Sequence, residues 1–187
     1  MHENRAIIMD RDGTISEEVG YLNNIDRFKL IPRAGEAINL INNMGFKAIV
    51  ITNQSGVGRG YFPETLVHEV HNKLRTLLKD FNAYVDAIYY CPHHPDVKCR
   101  CRKPNIGLLE RAIEEFDIDP SRSYVIGDKV TDVDFAERAK SLGIIVKTGY
   151  GRGEIIYRLN KKPLYIAEDI YDAVKWIMRR EGIRIGL

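Results

Sequence analysis

A chain of 187 residues with 44% hydrophobic and 29% charged side chains can bury a sizeable core and has the balance of an ordinary globular protein. Its net charge of +2 is too small to point to nucleic acid or a membrane surface as a partner, and no apolar run approaches the roughly 18 residues of a spanning helix. The opening MHENRAIIMD carries no secretory pattern, so a cytoplasmic location with reduced thiols is expected.

In chain order, short apolar runs alternate with amphipathic stretches. Strands are predicted at 5–10, 47–52, 86–91, 123–127, 144–148 and 164–167, with helices at 34–44, 63–81, 105–116, 131–142 and 169–181. The helix at 63–81 opens with Pro63 at its first position and repeats Leu66, Val70, Leu74, Leu77 and Leu78 at helical spacing. The helix at 131–142 is expected to stop at Gly143. Repeating strand–helix units imply an α/β fold with a central parallel sheet covered on both faces. With no linker or internal repeat, residues 1–187 read as one domain, and a small chain of this kind is expected to be a monomer.

Ligands of such sheets sit beyond the carboxyl ends of the strands. Asp10 and Asp12 follow the apolar run Ala6-Ile7-Ile8, with Gly13 allowing the backbone to turn away sharply. Thr52-Asn53-Gln54-Ser55 ends the second strand, and Asp128-Lys129 ends the strand at 123–127. These polar groups fall on one rim. A carboxylate there can attack an electrophile or hold a cation, and a second one beside it can move a proton.

Cys91, Cys99 and Cys101 lie within eleven residues, in the run Cys-Pro-His-His-Pro-Asp-Val-Lys-Cys-Arg-Cys. An odd number of clustered cysteines is a poor disulfide framework, and with one histidine the set suits a tetrahedral Cys₃His zinc site. His93 and His94 both compete for the fourth place. With every ligand position filled by protein, the site would be structural.

D10-R-D-G-T14, T52-N-Q-S55, C-R-K-P104 and G-D-K129-x-x-D132 together resemble the motif set of the haloacid dehalogenase-like phosphatases, in the family's order and over nearly the whole chain. Within that superfamily, V19-G-Y21, T52-N-Q-S-G-V-G-R-G60, the cysteine loop and T148-G-Y-G-R152 resemble the D-glycero-D-manno-heptose 1,7-bisphosphate 7-phosphatase family. The resemblance implies a capless Rossmann-like three-layer sandwich with a zinc-bound loop. It also implies a small sugar phosphate as substrate, dephosphorylated on the way to nucleotide-activated heptose.

It assigns Asp10 as nucleophile, Asp12 as acid and base, and Thr52 and Lys103 as the groups stabilising the phosphoryl. Mg²⁺ would be held by Asp10, the Asp12 carbonyl and Asp128, and Zn²⁺ by Cys91, His93, Cys99 and Cys101. Glu18, Val19, Gly20, Tyr21, Asn53, Gln54, Ser55, Arg102 and Lys129 would bind substrate, Arg102 serving the distal phosphate. From the residues alone Lys103 and Lys129 are interchangeable. Asp132 reads as a first-turn helix acid or an outer partner of the metal. His94 is expected to face solvent.

Two alternatives compete. Only five residues separate His93 from Cys99, a spacing similar to that of histidinol-phosphate phosphatases. A receiver-like phosphoacceptor module also gathers aspartates, a threonine and a lysine around Mg²⁺. An acid adjacent to the nucleophile and a zinc loop argue against that module. The glycine-rich pieces Gly56–Gly60 and Gly149–Gly153 read as turns, and Tyr89 and Tyr90 as packing residues.

Overall fold

The computed structural model describes residues 3–184. Its elements run β1 (Ala6–Met9), α1 (Ala34–Asn43), β2 (Lys47–Asn53), α2 (Ser55–Gly58), α3 (Glu64–Lys79), β3 (Ala87–Cys91), α4 (Gly107–Phe116), β4 (Tyr124–Gly127), α5 (Val130–Arg138), β5 (Leu142–Val146), α6 (Gly151–Tyr157), β6 (Tyr165–Ala167) and α7 (Ile170–Arg180). The six strands form one parallel sheet in the order β3-β2-β1-β4-β5-β6.

The strands are apolar on both sides because both faces are covered. Ile7, Met9, Val50 and Ile126 point to one face, where α1, α3 and α7 supply Ile38, Ile41, Leu74, Val174 and Ile177. Ala6, Ile8, Ile49, Ile51 and Val125 point to the other, against Leu108, Leu109 and Ala112 of α4 and Phe135 of α5. Each large aliphatic side chain buried there contributes about 1.5–3 kcal/mol. The middle strands are thereby immobilised, and so are the residues at their carboxyl ends.

The chain winds outward from β1 through β2 to β3, then returns to place β4 on the other side of β1. The crevice at this reversal is where open parallel sheets bind ligands. Register carries the geometry: Met9 pairs with both Val50 and Ile126, and the Asp10 N–H donates to the Ile126 carbonyl at 2.9 Å.

Three local expectations are corrected. The helix expected to end at Gly143 stops at Arg138, because Lys140 turns left-handed at φ 57°. Gly143 instead pairs with Val125 inside β5, and a Cβ there would stand 3.0 Å from that of Ala136, so the glycine lets α5 lie close on the strand. Pro63 caps α3 in an extended conformation, one position before the first helical residue. The two glycine-rich pieces read as turns contain the short helices α2 and α6.

Candidate active site

Asp10 leaves β1 into a tight turn in which the Arg11 carbonyl accepts from the N–H groups of Ile15 and Ser16, both at 2.9 Å. Gly13 makes this turn at φ 82°, and a Cβ on it would lie 2.2 Å from Asp128 Oδ2. Gly149, at φ 55°, closes on the same oxygen from the β5 side, where a Cβ would stand at 2.3 Å. Asp128 is thus gripped between two side-chain-free backbones. Its Oδ2 accepts the Tyr150 N–H at 2.8 Å, and its buried Oδ1 has no hydrogen-bond partner among the described residues.

Of the two lysines, Lys103 is the one that meets Asp10. Its ammonium is buried, 3.0 Å from Asp10 Oδ1 and 2.6 Å from Asp132 Oδ1. Burial alone would lower its pKa, but Asp10 and Asp132 outweigh burial and hold it above the usual lysine range. For Asp10, burial works upward, and Lys103 and Lys129 overcome it, keeping the carboxyl below its ordinary value. Lys129 stands farther out, with Nζ 3.3 Å from Glu18 Oε2 and 4.8 Å from the Tyr150 ring centroid.

Asp132 sits in the first turn of its helix, as one of its two readings had it. It is the third residue of α5 and accepts the Lys129 N–H at 3.2 Å through Oδ2, while Oδ1 holds Lys103. Both of its oxygens are therefore engaged, whereas Asp128 keeps one unpaired. Asp10, Asp128 and Asp132 bring oxygens within 4.8 Å of one another. Burial first, then Asp10 and Asp132, push Asp128 up to about 8 against the pull of Lys129. A carboxyl pushed toward its protonated form by burial and by neighbouring carboxylates is short of positive charge, and a divalent cation with all-oxygen coordination fits that deficit.

Thr52 and Asn53 end β2 beside Tyr90 and Cys91 of β3. Gln54 Nε2 donates to Thr52 Oγ1 at 2.9 Å, so the Thr52 hydroxyl keeps its own proton to donate into the cleft. The same Nε2 reaches Asp12 Oδ2 at 2.7 Å. The Asn53 amide clamps the Lys103 backbone, accepting its N–H at 3.0 Å and donating to its carbonyl at 3.2 Å. Sequence reasoning assigned Asn53 and Gln54 to substrate; here their amides hold Lys103, Thr52 and Asp12.

The cleft over these groups measures about 440 Å³ and is lined by Asp10, Asp12, Glu18, Gly20, Tyr21, Thr52, Asn53, Gln54, Ser55, Arg102, Lys103 and Lys129, with Phe62, Asp132 and Tyr150 among others. That volume suits a small phosphorylated molecule. Arg102 contributes a buried Nη1 with no protein partner. Val19 is not brought to the cleft: it packs on the hydrophobic core, and only its carbonyl, accepting from Arg27, is polar. Arg59 and Arg152 also lie off the lining. Tyr89 and Tyr90 pack as expected, their hydroxyls donating to Glu115 and Glu64.

Beside the cleft, Cys91, His93, Cys99 and Cys101 converge. The sulfurs of Cys101 stand 3.2 Å and 3.3 Å from those of Cys91 and Cys99, and His93 Nδ1 lies 3.1 Å from Cys101 Sγ. These spacings are too long for disulfides and near the roughly 3.8 Å edge of a tetrahedron with zinc–sulfur bonds of about 2.3 Å. The donor set fits zinc. His94, about a third exposed, turns its ring nitrogens to Arg59 Nη1 at 3.2 Å and the Asp96 N–H at 3.2 Å. That leaves His93 as the histidine of the cluster.

Sheet order, switch-point carboxylates and a buried lysine between them define a haloacid dehalogenase-like hydrolase. A family model described as HAD-hydrolase-like matches residues 100–173. D-glycero-D-manno-heptose-1,7-bisphosphate 7-phosphatase of Thermosynechococcus vestitus is 39% identical over 92% of this chain and 94% of its own. D-glycero-beta-D-manno-heptose-1,7-bisphosphate 7-phosphatase of Haemophilus influenzae is 38% identical over 94% and 98%. The crystal structure of a D,D-heptose 1,7-bisphosphate phosphatase from B. bronchiseptica, complexed with magnesium and phosphate, superposes with a TM-score of 0.89 at 28% identity, covering 94% of this chain and 99% of that one. The chain belongs to the heptose bisphosphate phosphatase family of haloacid dehalogenase-like hydrolases, a family of phosphoric monoester hydrolases.

Proposed function

We propose that this protein hydrolyses the 7-phosphate of D-glycero-D-manno-heptose 1,7-bisphosphate through an aspartyl phosphate on Asp10, within nucleotide-activated heptose biosynthesis. The observation that carries the reading is Asp10 at the sheet's switch point, ion-paired to the buried Lys103 and adjoining the half-unpaired Asp128. The relatives' names supply the substrate and do not favour the histidinol-phosphate alternative.

A carboxylate oxygen of Asp10 bonds to phosphorus as the bond to the sugar oxygen breaks, and Asp12 gives that oxygen a proton. Asp12 then takes a proton from a water that attacks the phosphorus, releasing phosphate and restoring Asp10. The Thr52 hydroxyl and the Lys103 ammonium stabilise the equatorial oxygens throughout. Arg102, with its unpartnered buried nitrogen, and Lys129 receive the rest of the substrate. Glu18, Gly20, Tyr21 and Ser55 shape the rim.

Asp10, the Asp12 carbonyl and Asp128 would hold Mg²⁺, which when bound neutralises charge on the phosphoryl group. Cys91, His93, Cys99 and Cys101 would hold a structural Zn²⁺ that fixes the loop leading to Arg102 and Lys103. In this reading residues 1–187 act as one domain and a monomer, in the cytoplasm, without nucleic acid or membrane partners. Among the described residues no helix is long and apolar enough to cross a membrane.

A panel of heptose 1,7-bisphosphate, histidinol phosphate and other small phosphomonoesters, scored for phosphate release, tests the substrate. The heptose bisphosphate is expected to give the highest kcat/KM, and a preference for histidinol phosphate would overturn the choice. Asp10→Asn should lower turnover more than about 1,000-fold with the fold intact.

A further inference from the structure

Arg11 follows the nucleophile and heads the largest side chains that are fully buried, at 1% exposure. Its guanidinium forks onto the carboxylate next in sequence: Nε donates to Asp12 Oδ1 at 3.0 Å and Nη2 to Oδ2 at 2.8 Å. Its remaining edge, Nη1, meets His71 Nε2 of α3 at 3.3 Å. An arginine can only donate, so that histidine nitrogen is bare and its proton sits on Nδ1. Burial first, then Arg11, His68 and Arg75, push His71 down to about 3, and the ring is neutral.

A neutral acceptor anchors Arg11 without competing for its charge, so the fork serves one carboxylate. Ser16 Oγ, at 3.3 Å from Oδ1, and Gln54 Nε2 complete the fence around Asp12. A buried cation is expensive to maintain for packing alone, which points to a role at this carboxylate. Proton transfer needs the acid within hydrogen-bond reach and aligned, and a displacement of about 1 Å can reduce the rate about 100-fold.

We propose that Arg11, braced by neutral His71, is a positioning residue that aims Asp12 at the leaving oxygen and then at water. The proposal rests on the acid–base role given to Asp12 above. His71→Leu removes the brace, His71→Gln restores an acceptor, and Arg11→Lys keeps the charge but loses the fork. Each is measured for kcat and KM on the heptose bisphosphate, or on the best sugar phosphate of the panel should that substrate fail. Each is also measured for the first-turnover release of nitrophenolate from p-nitrophenyl phosphate, a leaving group that departs without a proton.

The expected result for His71→Leu and Arg11→Lys is a kcat on the sugar phosphate lower by about 10- to 100-fold, with KM within about twofold. Nitrophenolate release should stay nearly unchanged, and His71→Gln should recover most of the loss. Equal loss on both substrates, or no loss in a folded variant, overturns the proposal; His71→Leu decides if Arg11→Lys fails to fold by thermal melting. Asp12→Asn separates the two levels. If it fails to discriminate between the leaving groups, the role of Asp12 falls and this proposal with it. If it discriminates while His71→Leu does not, only the positioning role falls.

Discussion

The two clusters beside the cleft are built in opposite ways. The thiol cluster draws Cys91 from the last position of β3 and His93, Cys99 and Cys101 from the loop after it, all within eleven residues of chain. The carboxylate cluster draws Asp10 from the end of β1, Asp128 from the end of β4 and Asp132 from the first turn of α5, with Lys103 reaching in, and its scaffold is the packed sheet. One is local in sequence. The other is assembled over long range and arrives with its shape already set by the core.

The largest expected effect comes from breaking the long-range cluster internally. Lys103→Met leaves Asp10 and Asp132 facing each other without their shared cation, a change of about 3–5 kcal/mol in stability for a buried pair. Thermal melting should show it, alongside near-complete loss of phosphate release. A variant melting at the wild-type temperature would break the contrast drawn here.

Cys101→Ser tests the local cluster. Zinc content should fall to background and protease cutting within 94–100 should rise, while far-UV circular dichroism stays that of the intact sheet. Through displacement of Arg102 and Lys103, kcat/KM should drop about tenfold or more. Global unfolding instead would show that the loop supports the sheet.

Gly149→Ala sharpens the comparison at Asp128, since the added Cβ would stand 2.3 Å from Oδ2 at a left-handed φ. Mg²⁺ affinity by calorimetric titration is expected to weaken about 10- to 100-fold, as for lost outer support of a metal ligand. Zinc content should not change.

A graded effect is a pH slope. His71 is depressed to about 3 from an ordinary 6.5, so its contribution to stability is complete above pH 6.5. It is lost as pH falls from there toward about 3, because the unfolded chain binds a proton that the folded chain refuses. The slope from one proton is about 1.4 kcal/mol per pH unit. His71→Leu, which cannot titrate, should flatten denaturant-derived stability over that window relative to wild type. Parallel curves would show that this ring is protonated in the folded protein.

Much of this was legible in the chain. Six apolar runs bounded by turn residues placed every strand, and the strand-end rule put Asp10, Thr52 and Asp128 on one rim before any coordinates. What escaped has identifiable causes. α2 and α6 are short and glycine-rich, so their sequences read as turns. Gly143 looked like a helix stop because glycine serves equally for close helix–strand approach. Val19 matched a binding motif yet packs inward, since loop side chains have no periodicity to fix their facing. The contacts of Asp132 with Lys103 and of Arg11 with His71 escaped because those partners lie 29 and 60 residues away.

The sequence by itself determined the layered parallel sheet, the rim on which the polar strand ends fall and the three clustered thiols. Strand patterning is periodic, and metal-ligand spacing is local. Only the tertiary structure decided that Lys103 rather than Lys129 meets Asp10, that His93 rather than His94 joins the thiols, and that His71 meets Arg11. Those choices turn on distances of a few ångströms between distant segments, and such distances exist only once the core has fixed where each strand ends.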